Sequence, residues 1–178
     1  RRNEALPDLS EAPIYEAALT RFVRQLQGQS TGVQPKKPND LCVLFFVPNG
    51  IGLGHVSRTL AVAKALEQRL GLDPQSIAFW SYSQAIGFVQ SAGYRIIPRQ
   101  TVKQLGLKAD RWSVREAQEL EAFLRLRQPQ RIIVDHSNLD SHLMRALDAV
   151  DFPCQKIWLR RAFWRAGQQP PTFAQVSR

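Results

Sequence analysis

The segment VPNGIGLGHVSR, residues 47–58, carries three glycines at alternate positions and then a histidine. Glycine adopts backbone conformations closed to other residues and lets a ligand approach the chain closely. A neutral imidazole accepts a proton near pH 7, so His55 is a candidate general base. The segment follows an apolar run and opens a helical pattern, as ligand-binding loops of α/β proteins do. The residues expected to contact the ligand are Asn49, Gly50, Gly52 and Gly54.

The spacing of this loop argues against two common nucleotide-binding motifs. A dinucleotide fingerprint is G-x-G-x-x-G, with an acidic residue about 20 positions later at the end of the second strand. Here the pattern is G-x-G-x-G, and the second predicted strand ends Phe79-Trp80-Ser81-Tyr82, without a carboxylate. A P-loop ends in Gly-Lys-Ser or Gly-Lys-Thr, and neither follows the glycines. We therefore expect neither nicotinamide nor ATP, and no cofactor.

Further candidates stand at the end of an apolar strand and in the first helix. Asp135 and His136 end the run RIIVD and begin the next loop. In a doubly wound sheet the first and fourth strands are neighbours, and their loops face one crevice. Asp135 can then orient His55, as carboxylates orient catalytic imidazoles, or it can cap the next turn. Arg58, one turn into the helix, can meet a phosphate or lie in solvent, and His136 is a candidate substrate contact.

A regular alternation of strands and helices positions these candidates. Strands are predicted at 41–47, 76–81, 94–98, 131–135 and 155–160. Helices are predicted at 55–70, 83–92, 113–128 and 139–150. In the third helix, Ser113 and Glu116 have capping-box spacing and Pro129 supplies a stop. The alternation predicts an α/β fold, a Rossmann-like doubly wound parallel sheet.

The sequence divides into three parts. Residues 1–40 contain an amphipathic helix pattern at 12–27 and a Gly- and Pro-containing linker, so we expect an N-terminal helical extension. Residues 41–165 form the Rossmann-like domain, and 166–178 have the composition of a linker. Because the chain opens with Arg1 and not with methionine, we expect it to be a piece of a longer protein.

The composition is ordinary except for its charge. There are 24 Lys and Arg against 15 Asp and Glu, a net charge of +9. A basic surface attracts nucleic acid, anionic lipid or phosphate-bearing substrates, and charge alone does not choose among them. Cys42 and Cys154 lack metal-ligand spacing and are expected to be reduced thiols. No run approaches the roughly 20 apolar residues that span a bilayer, so a cytoplasmic location is expected.

The stretch FFVPNGIGLGHVSRTLAVAKAL resembles the first loop and helix of GT-B glycosyltransferases, especially bacterial enzymes akin to the peptidoglycan N-acetylglucosaminyltransferase. The later KIWLRRAFWR is similar to the strand and Arg-aromatic segment further along such N-terminal domains, so the resemblance covers 41–165. It implies a two-domain enzyme that moves a sugar from a nucleotide-diphosphate donor to a hydroxyl acceptor, lipid-linked or polysaccharide. The present domain would hold the acceptor, and a second domain, missing from this sequence, most of the nucleotide-sugar.

The resemblance also implies roles for individual residues. His55 would deprotonate the acceptor hydroxyl or shape the site. Arg161, among aromatic neighbours, would contact an anionic lipid-linked acceptor or the inner face of the membrane; the alternative is an amphipathic turn packed in the core. Such enzymes need no obligatory metal, and none is expected here. The piece alone is expected to be inactive.

Two other functions are compatible with the sequence. A nucleotide-sugar 2-epimerase shares the fold but carries extra carboxylates in its cleft. A non-catalytic basic module would bind nucleic acid or anionic lipid with strong salt sensitivity. The chain has no RNA-binding fingerprint or helix-turn-helix spacing, so nucleic acid is not the expected partner.

Overall fold

The computed structural model describes residues 24, 40–48, 53–136 and 139–159 of the chain. The strands within these ranges are β1 Val43–Val47, β2 Ile77–Ser81, β3 Arg95–Pro98, β4 Arg131–Asp135 and β5 Gln155–Leu159. The helices are α1 Leu53–Leu70, α2 Ile86–Ser91, α3 Val102–Leu105, α4 Ala109–Arg127 and α5 Ser141–Asp148. A single 3-10 turn, Pro74–Ser76, precedes β2.

The five described strands form one parallel sheet in the order β3-β2-β1-β4-β5. The chain builds outward from β1 through β2 to β3, then returns to the other side of β1 for β4 and β5. This reversal makes the β1–β4 boundary the point where a crevice opens at the carboxyl edge of such a sheet. The predicted α/β Rossmann-like fold is confirmed, including the pairing of the first and fourth strands.

The sheet is covered by helices on both faces. All five residues of β1 are fully buried, which explains why its sequence is apolar at every position. On one face, α1 and α2 pack over a core that includes the stacked rings of Phe45 and Phe79, 4.8 Å apart. On the other face, α4 and α5 pack over Phe46 and Trp80.

The start of α4 differs from the prediction. The helix begins at Ala109, four residues before Ser113, so Ser113 and Glu116 form no capping box. Glu116 is buried and accepts a hydrogen bond from the Tyr82 hydroxyl at 2.5 Å. Glutamate in an inner position was mistaken for a cap because spacing alone does not distinguish the two.

Helix ends are set by local signals that the sequence analysis partly missed. A capping box does occur at α3, between Thr101 and Gln104. Helix α4 ends at Arg127 because Gln128 adopts a left-handed conformation with φ 44°, one residue before the predicted stop. Helices α2 and α5 are shorter than predicted, and α1 begins two residues earlier than expected.

Several predictions fall on other parts of the chain. The helix predicted at 12–27 and the linker at 166–178 lie outside the described residues, apart from Arg24, which is helical and exposed. Cys42 and Cys154 are free thiols, and burial raises the pKa of both, that of Cys154 to about 11. None of the described helices has both the length and the apolar character needed to cross a membrane.

His142 lies buried between the two helices on the α4 side of the sheet. Its ring meets the Trp112 ring edge-on, with centroids 4.9 Å apart, and lies 6.1 Å from the Phe46 ring. Its Nε2 has no hydrogen-bond partner among the described residues. Burial lowers the pKa of His142 and outweighs the nearby carboxylates of Asp140 and Glu116, which raise it. The folded chain therefore holds this imidazole neutral.

We expect His142 to make the chain acid-sensitive. Below about pH 6.5 the unfolded chain takes up a proton on this histidine more readily than the folded chain, so the free energy of unfolding falls as the pH falls. The fall is at most about 1.4 kcal/mol per pH unit. Urea unfolding on both sides of about pH 6.5 should show a shallower fall for His142→Leu. Equal slopes in the two proteins would contradict this role.

Candidate functional site

A histidine and an aspartate meet where β1 and β4 end side by side. His55 lies in the first turn of α1, directly after the loop that leaves β1, and Asp135 is the last residue of β4. The His55 Nδ1 atom is 3.1 Å from the Asp135 Oδ1 atom. Both residues are buried, with 3 % and 0 % of their surface exposed. The structure therefore brings together the pair that the predicted strand order places at one crevice.

The alternation of side chains along β4 explains why Asp135 faces α1. Ile133 packs in the core on the α1 side, and Asp135, two residues later, points to the same face. Ile132 and Val134 point to the α4 side. A shift of one residue in β4 would turn the carboxylate away from His55, so the register of β4 fixes the pair.

Arg58 completes this cluster from one turn further along α1. Its Nε donates to Asp135 Oδ2 at 3.0 Å, and a terminal nitrogen donates to Oδ1. This two-pronged geometry is the strongest hydrogen-bonded pairing of arginine with a carboxylate. The Arg58 side chain is 37 % exposed, whereas the carboxylate is wholly buried. Arg58 thus links a buried negative charge to the surface.

The contacts of the His55 ring indicate which nitrogen carries the hydrogen. Nδ1 lies 3.1 Å from the Asp135 carboxylate and 3.3 Å from a terminal nitrogen of Arg58. An unprotonated Nδ1 would set its lone pair against that of the carboxylate oxygen, whereas Nδ1–H donates to the stronger acceptor. We assign the hydrogen to Nδ1, which makes Nε2 the nitrogen that accepts a proton.

The glycine nearest the cluster is not required by the described fold. Gly54 lies in the first turn of α1 and is exposed. A Cβ at this position would meet no described atom within 4 Å, and the backbone is helical, not left-handed. Any residue therefore fits there sterically, so the space beside Gly54 is open to a ligand.

The other predicted site residues are placed as follows. His136 is half-buried, with Nδ1 3.9 Å from a carboxylate oxygen of Asp140 and its carbonyl accepting the Trp158 indole N–H at 2.8 Å. His136 therefore contacts the loop that follows β4, through Asp140, and strand β5, through Trp158. Asn49, Gly50, Gly52 and Arg161 lie outside the described residues.

A second polar cluster, which the sequence analysis missed, lies on the opposite face of the sheet. Arg99 follows β3, donates to Glu116 at 2.7 Å and also pairs with Glu119. Its guanidinium carbon stands 4.4 Å from the centre of the Trp80 ring. Burial and the neighbouring Glu116 raise the pKa of the Tyr82 hydroxyl. The signal available in the sequence was the glutamate among the inner positions of α4.

Several arginines that contribute to the positive net charge are paired within the fold. Arg115 contacts Glu119 at 2.6 Å and Arg125 contacts Glu121 at 3.0 Å, each one turn apart on α4. Arg131 is buried and donates to the Gln155 side chain. These arginines therefore carry less of the positive field than their number indicates.

Among the described residues, no group of three or more His, Cys, Asp or Glu could hold a metal ion.

Comparison with known proteins adds little to this description. No protein-family model matches the sequence. No curated protein matches it either. Among solved structures, the C-terminal domain of a Pyrococcus furiosus hydrogenase is similar, with 10 % identity and a TM-score of 0.43. The match covers 72 % of this chain and 100 % of that one. The fold assignment stands on the strand order alone.

We expect Gly54→Ala to stabilise the chain. Replacing glycine by alanine in a helix with open space around it gains about 0.5–1 kcal/mol. Gly87→Ala in α2 is the matched control, because Gly87 is also helical, exposed and free of neighbours within 4 Å. Urea unfolding should show a similar gain for both. Destabilisation by Gly54→Ala alone would mean that the first turn of α1 needs glycine for folding.

Proposed function

We propose that this chain is the acceptor-binding half of a GT-B glycosyltransferase, which moves a sugar from a nucleotide-diphosphate donor to a hydroxyl. The observation that carries the proposal is the 3.1 Å contact of His55 Nδ1 with Asp135 at the carboxyl edge of the sheet. A carboxylate that orients Nδ1 makes Nε2 the proton acceptor for a hydroxyl nucleophile. Deprotonating an acceptor hydroxyl is the chemistry that such a pair serves.

Three further observations support the proposal. The stretch that contains His55 resembles the first loop and helix of GT-B enzymes. The pair lies at the point where the strand order reverses, and open α/β sheets bind ligands there. Gly54, next to His55 in sequence, leaves open space on the exposed side of the first turn. An acceptor can approach the backbone of Gly54 closely there.

The proposed reaction is a single displacement. The acceptor oxygen gives its proton to His55 Nε2 and forms a bond to the anomeric carbon of the sugar. The bond between that carbon and the diphosphate oxygen breaks, and the nucleoside diphosphate leaves with the electron pair. A displacement of this kind inverts the configuration at the anomeric carbon. Asp135 keeps the ring in place and stabilises the imidazolium that forms.

A second domain and an anionic surface are the proposed partners. In this proposal the nucleotide-sugar is a co-substrate held mostly by the second domain, so no further cofactor is needed. The net charge of +9 favours an acceptor that is anionic or lipid-linked, at the inner face of a membrane. Arg161 is the residue proposed to contact that acceptor or the membrane.

The test compares sugar transfer by the full-length protein with that of its variants. We expect His55→Asn and Asp135→Asn to lower kcat by roughly 100- to 10,000-fold, with little change in the acceptor KM. The first removes the base, and the second removes the negative charge that stabilises the imidazolium. Asp148→Asn is the control, since Asp148 is exposed on α5. The 178-residue chain alone should not transfer sugar.

The other outcomes would either contradict the proposal or indicate a different function. Full activity in His55→Asn would contradict the assigned base, and strong transfer by the 178-residue chain alone would contradict the two-domain enzyme. An epimerised nucleotide-sugar in place of a transferred sugar would indicate the 2-epimerase. Salt-sensitive binding of nucleic acid or anionic vesicles that is indifferent to His55→Ala would indicate the non-catalytic module.

A further inference from the structure

We infer that Arg58 is a positioning residue that keeps His55 neutral by supplying the positive charge that the buried Asp135 carboxylate requires. The inference concerns the charge state of His55, and its importance for catalysis rests on the function proposed above. One buried carboxylate needs one positive charge to balance it, and Arg58 supplies that charge to Asp135.

The Asp135 carboxylate has no exposed surface. An ionised carboxylate in such a place is strongly disfavoured unless a cation pairs with it. Two side chains that can be cationic contact it: Arg58, through both prongs of its guanidinium, and His55, through Nδ1 at 3.1 Å. Guanidinium is charged at every pH that a protein meets. With Arg58 in place the net charge of the Arg58–Asp135 pair is zero, so His55 need carry no charge.

The elements around this cluster offer no substitute for Arg58 among the described residues. The neighbours of β4 in the sheet are β1 and β5. Strand β1 contains no ionisable side chain, and on β5 Lys156 donates to the Leu147 carbonyl of α5, on the opposite face of the sheet from His55. On β4 itself, Arg131 stands at the opposite end of the strand from Asp135. Asp135 and Arg58 both contact the His55 ring, at Nδ1.

Removing Arg58 leaves the carboxylate two ways to lose its unbalanced charge, and both place a hydrogen on His55 Nε2. In the first, His55 takes up a proton and becomes an imidazolium, with hydrogen on both nitrogens. In the second, Asp135 takes up the proton and donates it in a hydrogen bond to Nδ1, so the neutral ring carries its hydrogen on Nε2. Either change abolishes the proton-accepting Nε2 that a general base needs.

The geometry also predicts a difference between lysine and neutral replacements. Lysine keeps a positive charge but loses the planar fork that holds both carboxylate oxygens. Arg58→Lys should therefore leave His55 neutral while loosening its orientation. Arg58→Met removes the charge as well and should change the protonation of the ring. A residue with only a packing role would not separate these two variants in this way.

The experiment is nitrogen-15 NMR of the imidazole rings in the 178-residue chain at about pH 7. We expect an unprotonated Nε2 resonance for His55 in the unsubstituted chain and in Arg58→Lys, and loss of that resonance in Arg58→Met. Arg111→Met is the matched control, because it removes an exposed arginine from α4 on the other face of the sheet. This control should retain the His55 resonance.

A double variant keeps the test decisive if Arg58→Met folds poorly. In Arg58→Met with Asp135→Asn no buried charge remains, and the asparagine oxygen can accept from Nδ1–H, so the unprotonated Nε2 resonance should return. An unprotonated Nε2 in a folded Arg58→Met chain, or its absence from the double variant, would overturn the inference. Because the spectra need no substrate, failure of the proposed enzymatic activity would leave this result unaffected.

Discussion

The described structure depends on one buried carboxylate at the boundary between β1 and β4. Asp135 binds Arg58 with both oxygens and accepts from His55, so it ties the first turn of α1 to the end of a different strand. A carboxylate without exposed surface is tolerated only when its charge is matched. The contacts of Asp135 therefore hold the start of α1 in place and orient the His55 ring, while the Arg58 side chain stays partly exposed at the surface.

The two polar clusters of the sheet differ in what they can do. The cluster around Arg99 joins one arginine to two glutamates and to a tyrosine whose pKa is raised by burial and by Glu116. Such a cluster connects α4 to the strands. The cluster around Asp135 contains a histidine, the side chain that exchanges a proton most readily near pH 7. This difference is the physical reason why the proposed reaction is assigned to the cluster around Asp135.

The sequence predicted the layout of the fold better than its details. Alternating apolar runs and helical patterns predict all five described strands, and the usual strand order of a doubly wound sheet predicts that Asp135 lies beside His55. The bond of Arg58 to Asp135 was not predicted, because the strand order brings α1 close to the end of β4 but no local pattern shows which side chains of α1 reach the carboxylate. Glu116 was misassigned for the same reason, since its role depends on Tyr82 and Arg99 and not on its neighbours in sequence. The roles proposed for Asn49 and Arg161 stay predictions.

The contributions of Arg58 and Asp135 to the free energy of unfolding are expected to be coupled. A double-mutant cycle of unfolding free energies, with Arg58→Met, Asp135→Ala and both together, measures that coupling directly. Each single variant removes one charge of the pair, and the second substitution should then cost less than it does in the unsubstituted chain. We expect the double variant to be less destabilised than the sum of the two single variants, by about 0.5–3 kcal/mol. Additive effects would mean that Arg58 and Asp135 do not stabilise each other, and would contradict the role of Arg58 as the partner of the buried carboxylate.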